Sequence, residues 1–247
     1  NLTNQTTNNN NEFNYSIIAT DLSGISCFEI NDTTNFNINC TGHLQNNTLL
    51  SGGLYYLNIS VNDTYNNINS KTIFVNVTDT TPPVFVNLTN QTTDNNNNFF
   101  YEINATDLTG VSCFETNDTE NFKINCTGHL QNNTLLSGGL YYLNISVNDT
   151  YNNINSKTIW VNVTDTTSPI FVNLTNQTLE IGEFFNYTIN ATDLSGVSCF
   201  NLNNSNFKIN CSGHLQNNSF LPEGIYYLNI SVNDTYANNT AYDLLKI

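Results

Sequence analysis

Short runs in which apolar and polar residues alternate one for one fill the chain, and no stretch carries the 3.6-residue spacing of an amphipathic helix. In Leu57-Asn58-Ile59-Ser60-Val61-Asn62, the residues Leu57, Ile59 and Val61 fall on one side of an extended backbone, and Asn58, Ser60 and Asn62 on the other. The same alternation marks Phe36/Ile38/Cys40, Ile73/Val75/Val77 and Tyr187/Ile189/Ala191. Across the middle of the chain it predicts seven strands, at 84–89, 99–105, 110–115, 122–126, 129–136, 140–147 and 157–163. Turn formers separate such runs: Ser51-Gly52-Gly53, Asp63-Thr64-Tyr65-Asn66-Asn67 and Asp107-Leu108-Thr109-Gly110.

An internal repeat organises these elements. Asn1-Leu2-Thr3-Asn4-Gln5-Thr6 recurs at Asn87 and at Asn173, a period of 86 (87−1 and 173−87), which divides the chain into units 1–86, 87–172 and 173–247. The first two units differ at 13 of 86 positions, and Ile38 to Ile73 is identical to Ile124 to Ile159, so they descend from a recent tandem duplication. Seven short strands per unit predict an all-β fold of tandem β-sandwiches. Asp79-Thr80-Thr81-Pro82-Pro83 and Asp165-Thr166-Thr167-Ser168-Pro169 between units are short and proline-bearing, which favours a semi-rigid rod with about 35 to 45 Å per unit. The third unit stops at Ile247 within its expected last strand, so the natural protein is expected to continue.

Gly53-Leu54-Tyr55-Tyr56-Leu57-Asn58-Ile59-Ser60-Val61-Asn62-Asp63, a polar turn, a final strand and the linker from Asp79 to Pro83 resemble the C-terminal half of bacterial and archaeal Ig-like surface repeats. Ala105-Thr106-Asp107 with Gly110, Thr127-Gly128-His129-Leu130, and Pro83-Val84-Phe85 resemble the cadherin-like variant of that sandwich. The resemblance implies an extracellular stalk, adhesin, surface layer or filament without naming a ligand. Acidic residues recur at Asp21/Asp107/Asp193, at Asp63/Asp149/Asp234 and in the linkers at Asp79/Asp165, positions that cadherin-like repeats would use for inter-repeat calcium, and Asp79, Asp107, Asp165 and Asp193 are the calcium candidates. The chain departs from that pattern where Leu50-Ser51-Gly52 replaces an acidic cluster, where a second Asp after Asp107 is missing, and in a linker with one Asp. Asx-turn capping is the other role open to these residues.

Charge narrows the classes further. Twenty acids face five lysines and no arginine, for a net charge of −15, so the electrostatic footprint of a nucleic-acid binder is missing. No window offers 18 consecutive apolar residues and the first seven form no leader, so any membrane attachment is expected outside this stretch. No phosphate loop or nucleophile elbow is present, and each His sits in the same repeated turn, which argues against an enzyme.

Asparagine is 52 of 247 residues, and Asn-x-Ser/Thr occurs 28 times where roughly ten would arise by chance, so covalent N-glycans are expected. The acceptors are Asn1, Asn4, Asn14, Asn31, Asn39, Asn46, Asn58, Asn62 and Asn76 in the first unit. The second has Asn87, Asn90, Asn104, Asn117, Asn125, Asn132, Asn144, Asn148 and Asn162, and the third Asn173, Asn176, Asn186, Asn190, Asn203, Asn210, Asn217, Asn229, Asn233 and Asn238. On a strand, Asn and its Ser/Thr share the outward face. Only Asn14, Asn31, Asn104 and Asn117 have an acid two positions earlier, so an archaeal or eukaryotic transferase fits better than a bacterial one. A merely polar sheet face is the plainer account of the same ladders.

Six cysteines form one local pair per unit, Cys27/Cys40, Cys113/Cys126 and Cys199/Cys211, which predicts disulfides made in an oxidising, extracellular compartment. Their parity with Ile25, Phe36 and Ile38 predicts buried bridges between neighbouring strands. The alternative is a metal site from Cys27, Cys40 and His43 and its copies, which lacks a fourth ligand. Tyr55 and Tyr56 precede the sixth strand as in a tyrosine corner, with a sugar-binding platform as the lesser reading. The quartets Asn8 to Asn11 and Asn95 to Asn98 read as solvated loops, a polar zipper being the alternative. Together these readings predict a glycosylated surface protein that assembles with copies of itself; the alternative is an adhesin whose cell-surface partner binds outside this segment.

Overall fold

The computed structural model describes residues Asn1–Ile247, and every regular element in it is a strand. The first unit contains β1 (Gln5–Asn8), β2 (Asn14–Ser16), β3 (Ile25–Ile30), β4 (Phe36–Ile38), β5 (His43–Asn46), β6 (Gly53–Asp63) and β7 (Ile68–Thr78). The second follows as β8 (Val84–Phe85), β9 (Gln91–Asp94), β10 (Phe100–Glu102), β11 (Ala105–Thr106), β12 (Val111–Thr116), β13 (Phe122–Ile124), β14 (His129–Asn132), β15 (Gly139–Asp149) and β16 (Ile154–Thr164). The third has β17 (Ile170–Phe171), β18 (Asn186–Thr188), β19 (Ala191–Thr192), β20 (Val197–Leu202), β21 (Phe207–Ile209), β22 (His214–Asn217), β23 (Tyr227–Asp234) and β24 (Thr240–Lys246).

Each unit is a sandwich of two sheets, four strands against three in the first two units and three against three, β20-β23-β24 and β18-β22-β21, in the third. In the first, β1-β7-β6-β3 faces β2-β5-β4, and β12-β15-β16-β9 with β10-β14-β13 repeats the arrangement. Alternation buries one face of each sheet: Leu57, Ile59, Ile73, Val75 and Val77 from the larger meet Phe36 and Leu44 from the smaller in a core of 11 buried residues. The second and third units have separate cores of 13 and 10 buried residues. At about 25 cal/mol per Å² of apolar surface, such burial is the main term holding each sandwich together.

Sequence alternation misses β1 and β9, which pair in parallel with β7 and β16. Gln5-Thr6-Thr7 and Gln91-Thr92-Thr93 have no apolar face to signal a strand; the neighbouring edge supplies the hydrogen bonds instead. The run expected at 99–105 divides into β10, which pairs with β14, and β11, which pairs with β8. The central hairpin β15–β16 is longer at both ends than its alternation indicates. Gly128 fixes the crossing between β10 and β14: its φ is 85°, and a Cβ there would lie 1.9 Å from the Ile103 carbonyl oxygen.

Disulfides join Cys27 to Cys40, Cys113 to Cys126, and Cys199 to Cys211, leaving no free thiol and so no thiolate for the Cys/His metal alternative. The bridges are not buried as parity predicts: Cys27, Cys113 and Cys199 are half-buried, and Cys40, Cys126 and Cys211 are exposed. A β-bulge is the reason, since Ile25 pairs with Asp63 but Cys27 with the adjacent Asn62, which turns Phe28 inward and Cys27 outward. The bridge therefore ties the edge strand β3 of one sheet to the segment just after the edge strand β4 of the other. Tyr55, Tyr141 and Tyr226 make the corner, donating to the carbonyls of Ser51, Ser137 and Pro222 at 3.1, 3.0 and 2.9 Å. Tyr56 is not part of it and points outward, 64% exposed.

Candidate metal centre at the unit junctions

The linker after β7 carries Asp79 into the gap between two sandwiches, and there the chain folds around it. Asp79 Oδ1 accepts from Asn9 Nδ2 at 2.7 Å, from the Thr81 backbone at 2.9 Å and from the Thr81 hydroxyl at 2.7 Å. Asn9 is fully buried, so the first asparagine quartet is not a purely solvated loop: one member is a structural partner of the linker. Asn95 does the same for Asp165 in the second quartet, at 2.6 Å. The other oxygens of these pairs, Asp79 Oδ2, Asn9 Oδ1, Asp165 Oδ2 and Asn95 Oδ1, are buried without a hydrogen-bond partner. Orphaned buried acceptors cost stability and call for a cation or water.

Two loops of the second sandwich complete the gap. Asp107 Oδ1 caps its own turn, accepting from the backbones of Thr109 at 2.7 Å and Gly110 at 3.2 Å. Asp149, fully buried, accepts from the backbones of Tyr151 and Asn153 and from Asn153 Nδ2 at 2.7 to 2.9 Å. Carboxylate oxygens of Asp79, Asp107 and Asp149 lie within 4.8 Å of one another. All three belong to the acidic positions that recur with the repeat, Asp149 as the copy of Asp63 and Asp234, although the calcium candidates include only Asp79 and Asp107 of this cluster. At the next junction Asp165 and Asp193 face Asp234, and Asn239 Nδ2 reaches the Asp165 carbonyl at 3.1 Å as Asn153 Nδ2 reaches that of Asp79 at 3.3 Å.

Electrostatics follow from this packing. Burial raises the Asp79 pKa, but the nearby Thr109 hydroxyl and the hydrogen bonds from Thr81 and Asn9 outweigh it and hold the carboxyl below its ordinary 3.8. Asp165 is lowered in the same way, burial being opposed by Ser195, Thr167 and Asn95. Asp193 moves the other way: burial raises it, and the charges of Asp165 and Asp234 add to that. Three carboxylates, oxygen donors only, and an orphaned buried oxygen fit a hard divalent cation such as calcium, which Asp79, Asp107 and Asp149 would hold at the first junction. Bound there, the cation would neutralise their mutual repulsion.

The junction is also tied directly. Ser51 Oγ donates to the Leu108 carbonyl at 3.0 Å, and Gly52 N donates to Thr109 Oγ1 at 3.3 Å. Ser137 and Gly138 make the equivalent bonds to the Leu194 carbonyl and Ser195 Oγ, both at 2.9 Å. The Ser-Gly-Gly loops that depart from the acidic pattern are thus contact surfaces.

All sequon asparagines except Asn217 are at least partly exposed. Asn217 Oδ1 accepts from Phe185 N at 2.9 Å and its Nδ2 donates to the Ser219 carbonyl at 2.9 Å; Asn46 and Asn132 clamp their loops likewise.

No family model matches the chain, and no curated protein matches it. Among solved structures, it is similar to human CDH23 EC21-23, at 16% identity over 99% of this chain and 96% of that one, with a TM-score of 0.45. It is also similar to the human Desmocollin-1 ectodomain, at 15% identity over 99% and 59%, with a TM-score of 0.41. Drosophila N-cadherin EC1-4 follows at 12% identity over 100% and 73%, with a TM-score of 0.35. The assignment as tandem sandwiches rests on the strand order and separate cores of this chain.

Proposed function

We propose that this chain is part of a structural, non-catalytic extracellular protein at the cell surface, a glycosylated stalk or self-assembling filament built of disulfide-stapled Ig-like units at 1–86, 87–172 and 173–247. The observation that carries the reading is the repeated junction: the same Ser-Gly loop grips the same two-residue site at both unit boundaries, so one contact geometry can propagate along a chain or between copies. Exposed sequons on both sheets support a glycan sheath, which would hydrate a surface poor in charge and shield its sheet edges. Three disulfides support an oxidising, extracellular compartment, and the scarcity of acids two positions before the sequons supports an archaeal or eukaryotic origin of the glycans.

A second reading, a calcium-dependent adhesin, is favoured by one observation, the carboxylate cluster at the junction. Electron cryo-microscopy of native material separates them. A continuous fibre with density leaving the sequon asparagines is expected from the first reading; isolated bare rods would sink it, and rods that cluster only with calcium would favour the second.

A further inference from the structure

The outward face of the larger sheet carries apolar side chains with no protein partner. In the first unit these are Leu54 and Tyr56 on β6, 54% and 64% exposed, and the half-buried Phe74 on β7. Tyr56 and Phe74 are register partners whose rings meet edge to face with centroids 6.4 Å apart. In the second unit Leu140, Tyr142 and Trp160 take these places, and Tyr142 pairs with Trp160. Patches of this kind on a soluble surface call for an occupant.

The sequence and register put four glycosylation acceptors around that pair. Asn58 and Asn76 stand two residues beyond Tyr56 and Phe74 on the same faces of the same strands, about 6.6 Å along the backbone. Their Ser60 and Thr78 continue the outward row. Asn4 Oδ1 accepts from Phe74 N at 3.1 Å, and Asn31 Oδ1 accepts from Asn58 N at 2.8 Å. The second unit repeats the ring with Asn90, whose Oδ1 accepts from Trp160 N at 3.1 Å, and with Asn117, Asn144 and Asn162. In the third, Asn176, Asn203 and Asn229 surround Tyr227, but Lys246 replaces the second aromatic.

We infer that each aromatic pair is a platform for this chain's own N-glycans, the first sugar on Asn58 or Asn76, and on Asn144 or Asn162, lying against the rings. The inference rests on the glycosylation reading above. An N-acetylhexosamine presents a face of C–H groups that packs on the electron-rich face of an aromatic ring, while its hydroxyls stay in water. Glycans held this way cover the apolar patch and lie down on the sheet.

Trp160 is the sole tryptophan, so its fluorescence reports on the second platform. The 247-residue chain is made in a host competent for N-glycosylation, with occupancy read by glycopeptide mass spectrometry and Trp160 exposure by acrylamide quenching. Enzymatic removal of glycans is expected to raise the quenching constant about twofold, because sugar covers one face of a ring whose other side lies on the strand. The double variant Asn144→Gln with Asn162→Gln should do the same, whereas Asn125→Gln, on the other sheet, should not. Unchanged quenching with both asparagines occupied overturns the platform and spares the glycosylation reading. Unoccupied asparagines sink both. Protection in glycan-free protein that disappears on dilution would show that a second copy covers the face, and would overturn the proposal too.

Discussion

The loops at the head of the first unit and those at the head of the second are nearly the same in sequence, yet one set is bare and the other covered. Leu22 is 108% exposed and Tyr65 79%, against 46% for Leu108 and 43% for Tyr151. The turn itself is indifferent to this. Asp63 accepts from the backbones of Tyr65 and Asn67 and from Asn67 Nδ2, as Asp149 does from Tyr151 and Asn153. Local chemistry therefore folds the loop, the linker acid of the preceding unit turns a capped loop into a carboxylate cluster, and the Ser-Gly loop covers it. The two ends provide a paired experiment in which each change at the junction has a matched change at the bare head.

The largest contrast is expected from charge. Calcium at about a hundred times its dissociation constant should stabilise the chain by about 2.7 kcal/mol through linkage. Asp79→Asn should remove that gain at the first junction, and Asp21→Asn should leave it, as read from melting curves with and without calcium. Equal gains in both variants would dismiss the cluster as the site. Without calcium the sign with pH differs between groups. Asp79 and Asp165 titrate below 3.8, so their contribution is present above that value and lost as pH falls through their folded pKa. Asp193 titrates above 3.8, so its charge costs stability at neutral pH and protonation relieves it. Mild acid should first ease the second junction, and stronger acid should loosen both.

How much of this was readable from residues alone depends on the range of the cause. Alternation located the central hairpin because each side chain reports its own face. It said nothing of β9, a polar strand recruited by the edge of β16. Parity misplaced Cys27 because a bulge between Ile25 and Cys27 shifts the face, and no single residue type announces a bulge. Asp79 and Asp107 were readable from their repeated positions, but the buried Asn9 was hidden in a quartet of identical residues. Only the pairing of Asn9 with Asp79, 70 positions away, distinguishes it from Asn8, Asn10 and Asn11.

A smaller effect should come from the glycine that receives the neighbour's ring. A Cβ on Gly138 would lie 2.6 Å from the Tyr236 ring and 3.0 Å from Asp165 Cβ, so Gly138→Ala should cost roughly 1–3 kcal/mol at the second junction by overpacking. At Gly52 the clash, at 2.8 Å, is with the far end of Tyr151, which can swing aside, and Gly52→Ala should cost less. In the third unit Glu223 occupies the equivalent position, so the loop itself accepts a side chain. Differential hydrogen exchange at Tyr151 and Tyr236 would read the two junctions separately. Equal protection in both variants would show that the ring contacts contribute nothing to the junction.

The smallest effect isolates a single hydroxyl. Thr109 Oγ1 accepts from Gly52 N across the junction, and its hydroxyl lies close enough to the Asp79 carboxyl to lower that group's pKa, so one side chain touches the loop of one unit and acts on the linker acid. Thr109→Val keeps the shape and removes the bond, leaving Gly52 N without that acceptor and the Asp79 carboxyl without the nearby hydroxyl. A cost of about 1 kcal/mol is expected, the usual net worth of such a bond when its partners retain some access to water. Ser23 is its counterpart at the bare head, where its hydroxyl bonds only acids of its own loops, Asp21 and Asp63. Ser23→Ala should cost less, and should not alter the calcium response, because no linker carboxyl depends on it. Thr109→Val should raise the Asp79 pKa, since the hydroxyl that most opposes the effect of burial is gone, and this should move the acid loosening of the first junction to higher pH. A Thr109→Val chain whose acid midpoint stays with the parent's would show that the hydroxyl does not relay between the units.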